Sequence, residues 1–312
     1  MMNKHQELRK IARTNLSVTH LGLGTAPLGG LYTDVEESAA LAVVEDALAK
    51  GIKYFDTAPV YGSGLAETRL GLGLGSSRAK LVTISSKVGR LLIKDGKGEV
   101  IEATFNYTPS GIRQSMEESL ERLQLPKVDI AYIHDPDDFA DAAIKEGFPE
   151  LAKMREEGIV SAIGVGMNQN EIPTRFVNET DINAVLIAGR YTLLDQSAAK
   201  ELLPAALKND VSIVIGGVFN SGILANPVIG TTYNYSAAPV ELIERAIAMK
   251  ELLSNWNVPL TAAAIQFPLR HPAITTVLTG ARSVAELDAN IKDFNLEIPE
   301  ECWKALEGAN FI

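Results

Sequence analysis

Eight short apolar runs, each followed by a longer segment of helical periodicity, constrain the fold of this chain most strongly. The runs are rich in Val, Ile and Leu and occupy residues 21–26, 53–57, 81–87, 128–134, 160–166, 182–189, 211–217 and 274–280. Segments such as 37–51 and 109–125 repeat apolar residues every three or four positions, which is typical of amphipathic helices. Apolar strands separated by helices predict a parallel sheet covered on its outer face. Eight such units in 312 residues predict an α/β fold, the (β/α)8 TIM barrel.

The rival architecture is a doubly wound open sheet, which often binds dinucleotides through a GxGxxG motif. Glycines cluster at residues 22–30, 71–75 and 164–166, but no cluster has that spacing after a first strand, followed by an acidic residue about 20 positions later. No linker or low-complexity stretch divides the chain. We therefore expect one barrel domain over residues 1–312, with the active site at the carboxyl ends of the strands.

The charge balance and the amino-terminal sequence limit the partners we expect. The formal net charge is -10 and the pI is about 5.0, which argues against a nucleic-acid partner because phosphate binding rests on clustered Lys and Arg. The amino terminus is polar, and no apolar run approaches the roughly 20 residues of a membrane span. We expect a cytoplasmic protein with no membrane partner. A single cysteine, Cys302, excludes an internal disulfide, and we assign no metal site.

Polar side chains stand where several of the predicted strands end. Asp56 ends the second strand, with Tyr61 in the loop that follows, while Lys87 ends the third strand, His134 the fourth, and Asn168 follows the fifth. Each has an ordinary structural interpretation, as a helix cap, a packed ring, a snorkelling lysine or a structural histidine. Because the carboxyl ends of barrel strands meet at one mouth, their joint occurrence predicts an active site there.

The chemistry of these residue types supports the set. A tyrosine has a pKa of about 10, so proton transfer near neutral pH requires stabilisation of the phenolate, which the ammonium of Lys87 could supply. Asp56 could keep that lysine charged, and His134 could hydrogen-bond a substrate oxygen. A lyase in which Lys87 forms a Schiff base is the alternative, but the neighbouring Asp56 and Tyr61 favour a charged lysine.

The motifs FDTAPVYG, SSKVG and YIHDPD resemble, in that order, the tetrad of the aldo-keto reductase superfamily. Further similarity lies in RKIARTNLSVTHLGLGTAPLGG, AETRLGLGL and GARSVAELDANI. The resemblance implies a barrel with an amino-terminal β-hairpin that binds a nicotinamide dinucleotide without a Rossmann motif. It also implies hydride transfer between the nicotinamide and a carbonyl or carbinol carbon, with Asp56, Tyr61, Lys87 and His134 as catalytic residues. Tyr61 would be the general acid in reduction and the general base in oxidation.

The resemblance also implies a cofactor site that departs from the family pattern in places. The positions it implies are Thr25, Asp56, Asn168, Phe219, Asn220, Ser221, Gly222, Leu224, Gly280, Arg282, Glu286 and Asn290. Asn168 would hold the carboxamide, with Met167 where many members have serine. Ala188 and Gly216 stand where members usually have a carboxamide-binding glutamine and a stacking tyrosine. The segment 219–224 is similar to the loop that covers the pyrophosphate, with Ser221 and Gly222 as backbone donors, although a plain β-α turn is the alternative.

The choice of dinucleotide depends on the segment TGARSVAELDAN. Relatives that prefer NADP commonly carry a lysine and an arginine at the positions of Gly280 and Glu286, where they bind the 2′-phosphate. A carboxylate at Glu286 repels a phosphate but can accept hydrogen bonds from a ribose diol. We therefore favour NAD, while Arg282 keeps NADP open, and Asn290 would contact the adenine.

Among members of the family, the chain resembles the subgroup that oxidises sugars at C1 to lactones, such as L-fucose, L-galactose or D-arabinose, with pyridoxal dehydrogenases close by. Tyr32, Asp135 and Asn220 could hydrogen-bond sugar hydroxyls next to Tyr61 and His134. The alternatives are a pyridoxal dehydrogenase, a general aldehyde or ketone reductase, and a dinucleotide-sensing regulatory protein. We expect a small-molecule sugar or aldehyde substrate and a monomer or small homo-oligomer. Two insertions, residues 92–108 and 225–238, are expected to shape the pocket.

Overall fold

The computed structural model describes residues 3–31, 33–234 and 236–312, and eight of its strands close into a parallel barrel. The strands are β1 Leu8–Lys10, β2 Ser17–Thr19, β3 Leu21–Gly24, β4 Tyr54–Asp56, β5 Thr83–Val88, β6 Arg90–Lys94, β7 Val100–Phe105, β8 Ile130–His134, β9 Ala162–Met167, β10 Ala184–Ala188, β11 Ser212–Gly216, β12 Thr232–Tyr233, β13 Ser236–Ala237 and β14 Ile274–Gly280. Around the barrel the order is β3, β4, β5, β8, β9, β10, β11 and β14, which then pairs with β3. The predicted (β/α)8 barrel is confirmed, and each predicted strand lies within two residues of an observed one at both ends.

Helices cover the outside of the barrel between successive strands. They are α1 Glu37–Ala49, α2 Leu65–Ala79, α3 Pro109–Leu123, α4 Ala140–Ala142, α5 Phe148–Glu156, α6 Glu171–Glu179, α7 Leu202–Lys208, α8 Val240–Ser254, α9 Leu260–Gln266, α10 Val284–Asn295 and α11 Glu300–Gly308. Local sequence explains where α3 begins, because the side chain of Thr108 accepts a hydrogen bond from the amide of Gly111 and proline occupies the first helical position. Ser283 caps α10 in the same way, through the amide of Glu286.

An antiparallel hairpin of β1 and β2 precedes the barrel, as the resemblance implied. Ile11 in its turn and Val18 in β2 are fully buried and pack in one apolar cluster with side chains from the barrel interior. The second, larger cluster fills the space between the strands and the outer helices. The hairpin therefore supplies apolar residues to the core inside the barrel.

The two insertions form short hairpins of their own. In the first, β6 pairs antiparallel with β7, and the carboxylate of Asp95 accepts hydrogen bonds from the amides of Lys97 and Glu99 in the turn. In the second, β12 pairs antiparallel with β13, and an isolated bridge joins Gly222 to Thr232. Both insertions follow strands of the barrel at their carboxyl ends, next to the residues predicted for the site.

Within the described residues, no helix is both long enough and apolar enough to cross a bilayer. The same part of the chain contains no group of three or more His, Cys, Asp or Glu side chains placed to hold a metal ion.

Candidate active site

Three neighbouring strands bring the predicted tetrad together. Asp56 is the last residue of β4, Lys87 lies one residue before the end of β5, and His134 ends β8. The strands pair in this order, with Asp56 opposite Ser85. Register, rather than proximity in sequence, therefore places the carboxylate, the ammonium and the imidazole at one edge of the barrel.

The loop that carries Tyr61 packs closely against the turn after β3. A β-carbon at Gly29 would lie 2.7 Å from the main-chain carbonyl of Tyr61, so a side chain at Gly29 would push the loop away. The amide of Tyr61 donates to the carbonyl of Ala58, which closes a turn directly after the strand. The absence of a side chain at Gly29 therefore allows the phenol of Tyr61 to lie over Lys87.

Lys87 is a buried ammonium with two oxygen partners. Its Nζ donates to Oδ2 of Asp56 at 2.7 Å and to the carbonyl of Thr57 at 2.9 Å. Burial lowers the pKa of Lys87, but the negative charge of Asp56 and the interaction with Tyr61 outweigh it and raise that pKa above its ordinary value. Lys87 is therefore charged near neutral pH, which makes it unsuitable as a Schiff-base nucleophile.

Tyr61 lies next to this charge. The Nζ of Lys87 is 4.7 Å from the centroid of the phenol ring, and the ring of His134 meets the phenol edge-on at 6.2 Å. Burial raises the pKa of Tyr61, and Lys87 lowers it by a smaller amount, so the net direction is upward. Lys87 acts on the phenol in the predicted direction, but burial is the larger effect.

His134 is a neutral, almost fully buried imidazole. Burial, with the positive charges of Lys87 and Arg90, holds its pKa well below the ordinary value. Its Nε2 lies 3.4 Å from Oδ2 of Asp135, while Nδ1 is buried and has no hydrogen-bond partner among the described residues. With a proton on Nε2, this ring can donate one hydrogen bond without carrying a charge.

Asp135 and Arg90 form a polar pair beside His134 that the sequence reasoning found only in part. Nη1 of Arg90 lies 3.1 Å from Oδ2 of Asp135, and each side chain is about a quarter exposed. Asp135 adopts a left-handed backbone with φ of 46°, and the hydroxyl of Tyr107 donates to the carbonyls of both His134 and Asp135. Arg90 directly follows the motif SSKVG, and this position next to a predicted catalytic motif is the feature of the sequence that could have identified it.

An aromatic cluster lies next to this pair. Phe105, Tyr107 and Phe139 have ring centroids 5.5 to 6.1 Å apart, and the guanidinium of Arg90 lies 5.1 Å from the Phe105 centroid. Phe105 and Phe139 are each 44% exposed. No motif in the sequence indicated this cluster, because Phe105 and Tyr107 belong to the insertion that pattern alone left unfolded.

The positions predicted to contact the nicotinamide lie at the neighbouring strand ends. Asn168 follows β9 directly and is exposed, and its carbonyl accepts a hydrogen bond from Nε of Arg190 at 2.7 Å. Ala188 and Gly216 end β10 and β11 and stand opposite each other in register. A β-carbon at Gly216 would meet its nearest neighbour at 3.6 Å, an ordinary contact. This edge of the mouth therefore has room where many family members have larger side chains.

The predicted pyrophosphate loop is a tight turn with three successive positive φ values, at Asn220, Ser221 and Gly222. The amides of Gly222 and Leu224 both donate to the carbonyl of Phe219, and Leu224 is fully buried. Both amides are used within the turn, so the donor expected from Gly222 is not supported in this conformation. Asn220 is also buried, and its Nδ2 donates to the carbonyl of Gly189, which removes it from the rim where sugar hydroxyls would bind.

The predicted ribose site carries an ion pair. Arg282 donates from Nε and Nη2 to the carboxylate of Glu286 at 3.1 and 2.6 Å, and its amide donates to the same carboxylate at 2.8 Å. This pairing raises the pKa of Arg282 and lowers that of Glu286. Nδ2 of Asn290 donates to the carbonyl of Gly280 at 3.1 Å, which ties α10 to the end of β14.

Unpaired polar atoms at the same edge of the barrel fit a polar cofactor. Oγ1 of Thr25, Oδ1 of Asn220 and Oγ1 of Thr279 are buried without a hydrogen-bond partner in the described part of the chain. Such atoms are costly unless a ligand satisfies them. Together with the room at Gly216, they are compatible with a nicotinamide dinucleotide. Tyr32, a predicted substrate contact, lies outside the described residues.

Sequence comparisons match the chain to known oxidoreductases. The family model described as the Aldo/keto reductase family matches residues 20–310. A pyridoxal 4-dehydrogenase from Microbacterium luteolum is 39% identical over 339 aligned positions, covering 99% of each chain. A D-threo-aldose 1-dehydrogenase from a Pseudomonas species is 40% identical over 318 positions, covering 96% of this chain and 97% of the other. An L-galactose dehydrogenase from Arabidopsis thaliana is 31% identical over 91% of this chain and 87% of its own.

Solved structures agree with the fold. An aldo-keto reductase from Bacillus halodurans, in its holo form, superposes with a TM-score of 0.82 at 23% identity, covering 97% of this chain and 96% of the other. A glycerol dehydrogenase from Gluconobacter oxydans gives a TM-score of 0.78 at 22% identity, over 97% and 94% of the two chains. The chain belongs to the aldo/keto reductase family, a family of oxidoreductases that use nicotinamide cofactors.

Proposed function

We propose that this protein is an NAD-dependent dehydrogenase that oxidises an aldose at C1 to its lactone. The observation that carries the proposal is the buried pair of Lys87 and Asp56 beneath Tyr61, with its Nζ to Oδ2 distance of 2.7 Å. A buried ion pair is costly to maintain, and here it aims a positive charge at a phenol rather than filling the core. That is the arrangement a proton-transfer site requires.

The tetrad side chains would share the reaction as follows. Neutral His134 donates a hydrogen bond from Nε2 to the oxygen on C1 and orients it, while the phenolate of Tyr61 accepts the hydroxyl proton. Lys87 stabilises that phenolate, and Asp56 keeps Lys87 charged. A bound nicotinamide supplies the acceptor for the hydride that C1 loses. Because the pKa of Tyr61 is raised, oxidation should be fastest at mildly alkaline pH, where more of the phenolate forms.

A polar rim supports a sugar as substrate. Asp135 and Arg90 lie beside His134 with part of each side chain exposed, and a carboxylate with a guanidinium can bind neighbouring hydroxyls. The relatives that are 40% and 31% identical are named for the oxidation of aldoses and L-galactose. L-Fucose, L-galactose and D-arabinose are therefore the first substrates to consider.

Pyridoxal is the second candidate, and the aromatic cluster favours it. The exposed rings of Phe105 and Phe139 could stack on a flat heteroaromatic ring, which a sugar does not present. The relative that is 39% identical is named a pyridoxal 4-dehydrogenase. Both candidates use the same tetrad and differ only in the contacts at the rim.

The ion pair of Arg282 and Glu286 at the start of α10 supports NAD as the dinucleotide. The carboxylate of Glu286 is paired with the guanidinium of Arg282, so the charge of that guanidinium is already compensated at the place proposed for a 2′-phosphate. The carboxylate remains able to accept hydrogen bonds from ribose hydroxyls.

The proposal is tested by initial rates of absorbance change at 340 nm with NAD+ and, separately, NADP+, for L-fucose, L-galactose, D-arabinose and pyridoxal. We expect NADH formation from at least one aldose, with NAD+ preferred over NADP+. Turnover of pyridoxal alone would favour the second candidate. No oxidation of any of them, combined with reduction of simple aldehydes by NADH, would contradict the dehydrogenase proposal in favour of a carbonyl reductase. Dinucleotide binding without turnover in either direction would favour a sensor.

A further inference from the structure

A chain of three buried hydroxyls continues from the catalytic carboxylate into the barrel interior. Oγ of Ser85 donates to Oδ1 of Asp56 at 2.7 Å, while Lys87 donates to the other carboxylate oxygen, Oδ2. The hydroxyl of Tyr54 lies 3.1 Å from Oγ of Ser85, and the hydroxyl of Tyr132 lies 3.1 Å from that of Tyr54. Ser85, Tyr54 and Tyr132 are each 0% exposed.

The direction of every hydrogen bond in this chain follows from the carboxylate. An ionised Asp56 accepts only, so Ser85 must donate to it, and the single proton of Ser85 is then used. The hydroxyl of Tyr54 must therefore donate to Ser85, and Tyr132 must donate to Tyr54. Burial raises the pKa of both phenols, so each keeps the proton that it donates. All three hydroxyl dipoles consequently point toward Asp56.

The neighbouring strands make room for these rings inside the barrel. A β-carbon at Gly22 would lie 2.9 Å from Cδ1 of Tyr54, and one at Gly164 would lie 2.8 Å from Cδ1 of Tyr132. Strand register completes the arrangement, because Lys87 stands opposite Tyr132. A barrel interior filled with aliphatic side chains would need neither glycine at these positions nor hydroxyls at their neighbours.

We propose that Ser85, Tyr54 and Tyr132 are positioning residues that orient the carboxylate of Asp56 toward Lys87 and weaken the effect of its negative charge on Tyr61. This inference rests on the proposed function, because the three hydroxyls act on the reaction only through Asp56, Lys87 and Tyr61. The negative charge of Asp56 opposes ionisation of Tyr61. Donors aligned on Oδ1 reduce that opposing field, and their removal should make the phenolate harder to form.

The direct test is the titration of Tyr61 in protein labelled with 13C at the tyrosine ζ-carbon, followed by NMR and assigned with Tyr61→Phe. In Ser85→Ala we expect the Tyr61 midpoint to rise by up to about one pH unit, because the lost hydrogen bond acts on Tyr61 only through the charge of Asp56. Tyr54→Phe and Tyr132→Phe keep both rings and should give upward shifts that diminish with distance from Asp56. Ser85→Thr restores the hydroxyl and should restore the midpoint.

A matched control removes a buried barrel hydroxyl that has no path to Asp56. Oγ1 of Thr276 donates to the carbonyls of Thr19 and His20, so Thr276→Val should lower stability without moving the titration. Identical Tyr61 midpoints in Ser85→Ala, Tyr54→Phe and the parent protein would overturn the positioning role. Because this readout needs no turnover, it separates the inference from the proposed function, which fails instead if no substrate is oxidised. Where turnover is found, the acid limb of kcat/KM for oxidation should shift upward with the NMR midpoint.

Discussion

Replacing Asp56 by Asn removes one charge from a buried ion pair, so its cost can be worked out from the geometry. The side chains of Lys87 and Asp56 are 2% and 4% exposed, and their charged atoms lie 2.7 Å apart. At an effective dielectric constant of about 20, the lost attraction is roughly 6 kcal/mol, and measured costs of breaking buried pairs are about 3–5 kcal/mol. The amide also places an NH2 group either against the ammonium, which is only a donor, or against Ser85, whose hydroxyl then has to give up its bond to residue 56 as donor.

The stability loss in Asp56→Asn can also be worked out from the pKa of Lys87, which predicts how the loss depends on pH. Without Asp56, burial is the dominant influence on Lys87, so its pKa in the folded variant falls below the ordinary value of 10.5. Folding at pH 7 then requires release of a proton, which costs at most about 5 kcal/mol, at 1.36 kcal/mol per pH unit. The unfolded variant binds more protons than the folded one, so its stability should rise with pH up to about 10.5. In the parent protein the pKa of Lys87 is raised, and its stabilising contribution is constant over that range and lost only at higher pH.

The assay is urea unfolding of the parent protein and Asp56→Asn at pH 7, 8 and 9. We expect the free energy of unfolding of Asp56→Asn to be about 3–5 kcal/mol lower than that of the parent protein at pH 7. Where Lys87 is neutral in the folded variant, this difference should become smaller by roughly 1 kcal/mol or more per pH unit as the pH rises. Asp46→Asn is the control, because Asp46 and Lys50 form a partly exposed pair at 2.6 Å whose loss should cost less than about 1 kcal/mol. A loss for Asp56→Asn that is as small as the control and independent of pH would refute the buried-pair reasoning.

The remaining predictions concern turnover and cofactor choice. Tyr61→Phe should abolish oxidation, because the proton-transfer group is lost, while the dinucleotide affinity measured by NADH fluorescence should stay within about twofold of the parent value. Normal turnover by this variant would contradict the mechanism. Lys87→Met should move the acid limb of the oxidation profile to higher pH and lower the rate at pH 8, since the phenol loses its cation; an unchanged profile would count against the pairing. Because His134 is neutral, the kcat/KM profile of the parent enzyme should show no inflection at the ordinary histidine pKa of about 6.5. Glu286→Gln should free Arg282 and raise kcat/KM for NADP+ relative to NAD+ by about tenfold; unaltered selectivity would show that the ribose site lies elsewhere.

The barrel could be predicted because its strands are buried on both faces and therefore appear as near-continuous apolar runs. The tetrad side chains could be located because polar residues at strand ends stand out against those runs. Asp56, Lys87 and His134 were each identified in this way. What pattern could not supply was the register between strands, on which contacts across the barrel depend.

Tyr54 and Tyr132 illustrate that limit. In the sequence both belong to strands, and an aromatic residue in a strand predicts burial but not a hydrogen-bond partner on a neighbouring strand. The contacts of Tyr54 with Ser85 and with Tyr132 follow from pairings that bring Asp56 opposite Ser85 and Lys87 opposite Tyr132. Arg90 could not be predicted for a related reason. It follows β5 and Asp135 follows β8, so their contact depends on the pairing of these two strands.

The insertions were unpredictable for another reason. The stretch between β5 and α3 has turn residues at Asp95 and Gly98, but β7 is mostly exposed, so the apolar alternation that identifies a half-buried strand is weak there. The amide of Gly222, predicted as a donor to the pyrophosphate, donates to the carbonyl of Phe219 within the turn. Local hydrogen bonding within a turn is decided by backbone angles, which the residue types only restrict.

The central claim is that Tyr61 and its partners catalyse hydride transfer from a carbinol carbon to the nicotinamide. Transfer of deuterium from the substrate to the dinucleotide tests this claim most directly. The substrate found with the parent enzyme would be labelled with deuterium at the carbon that is oxidised, and the reduced dinucleotide would be analysed by mass spectrometry. We predict one deuterium per reduced nicotinamide with the parent enzyme and no labelled product with Tyr61→Phe. Unlabelled reduced dinucleotide, or equal labelling by the Tyr61→Phe variant, would contradict the account.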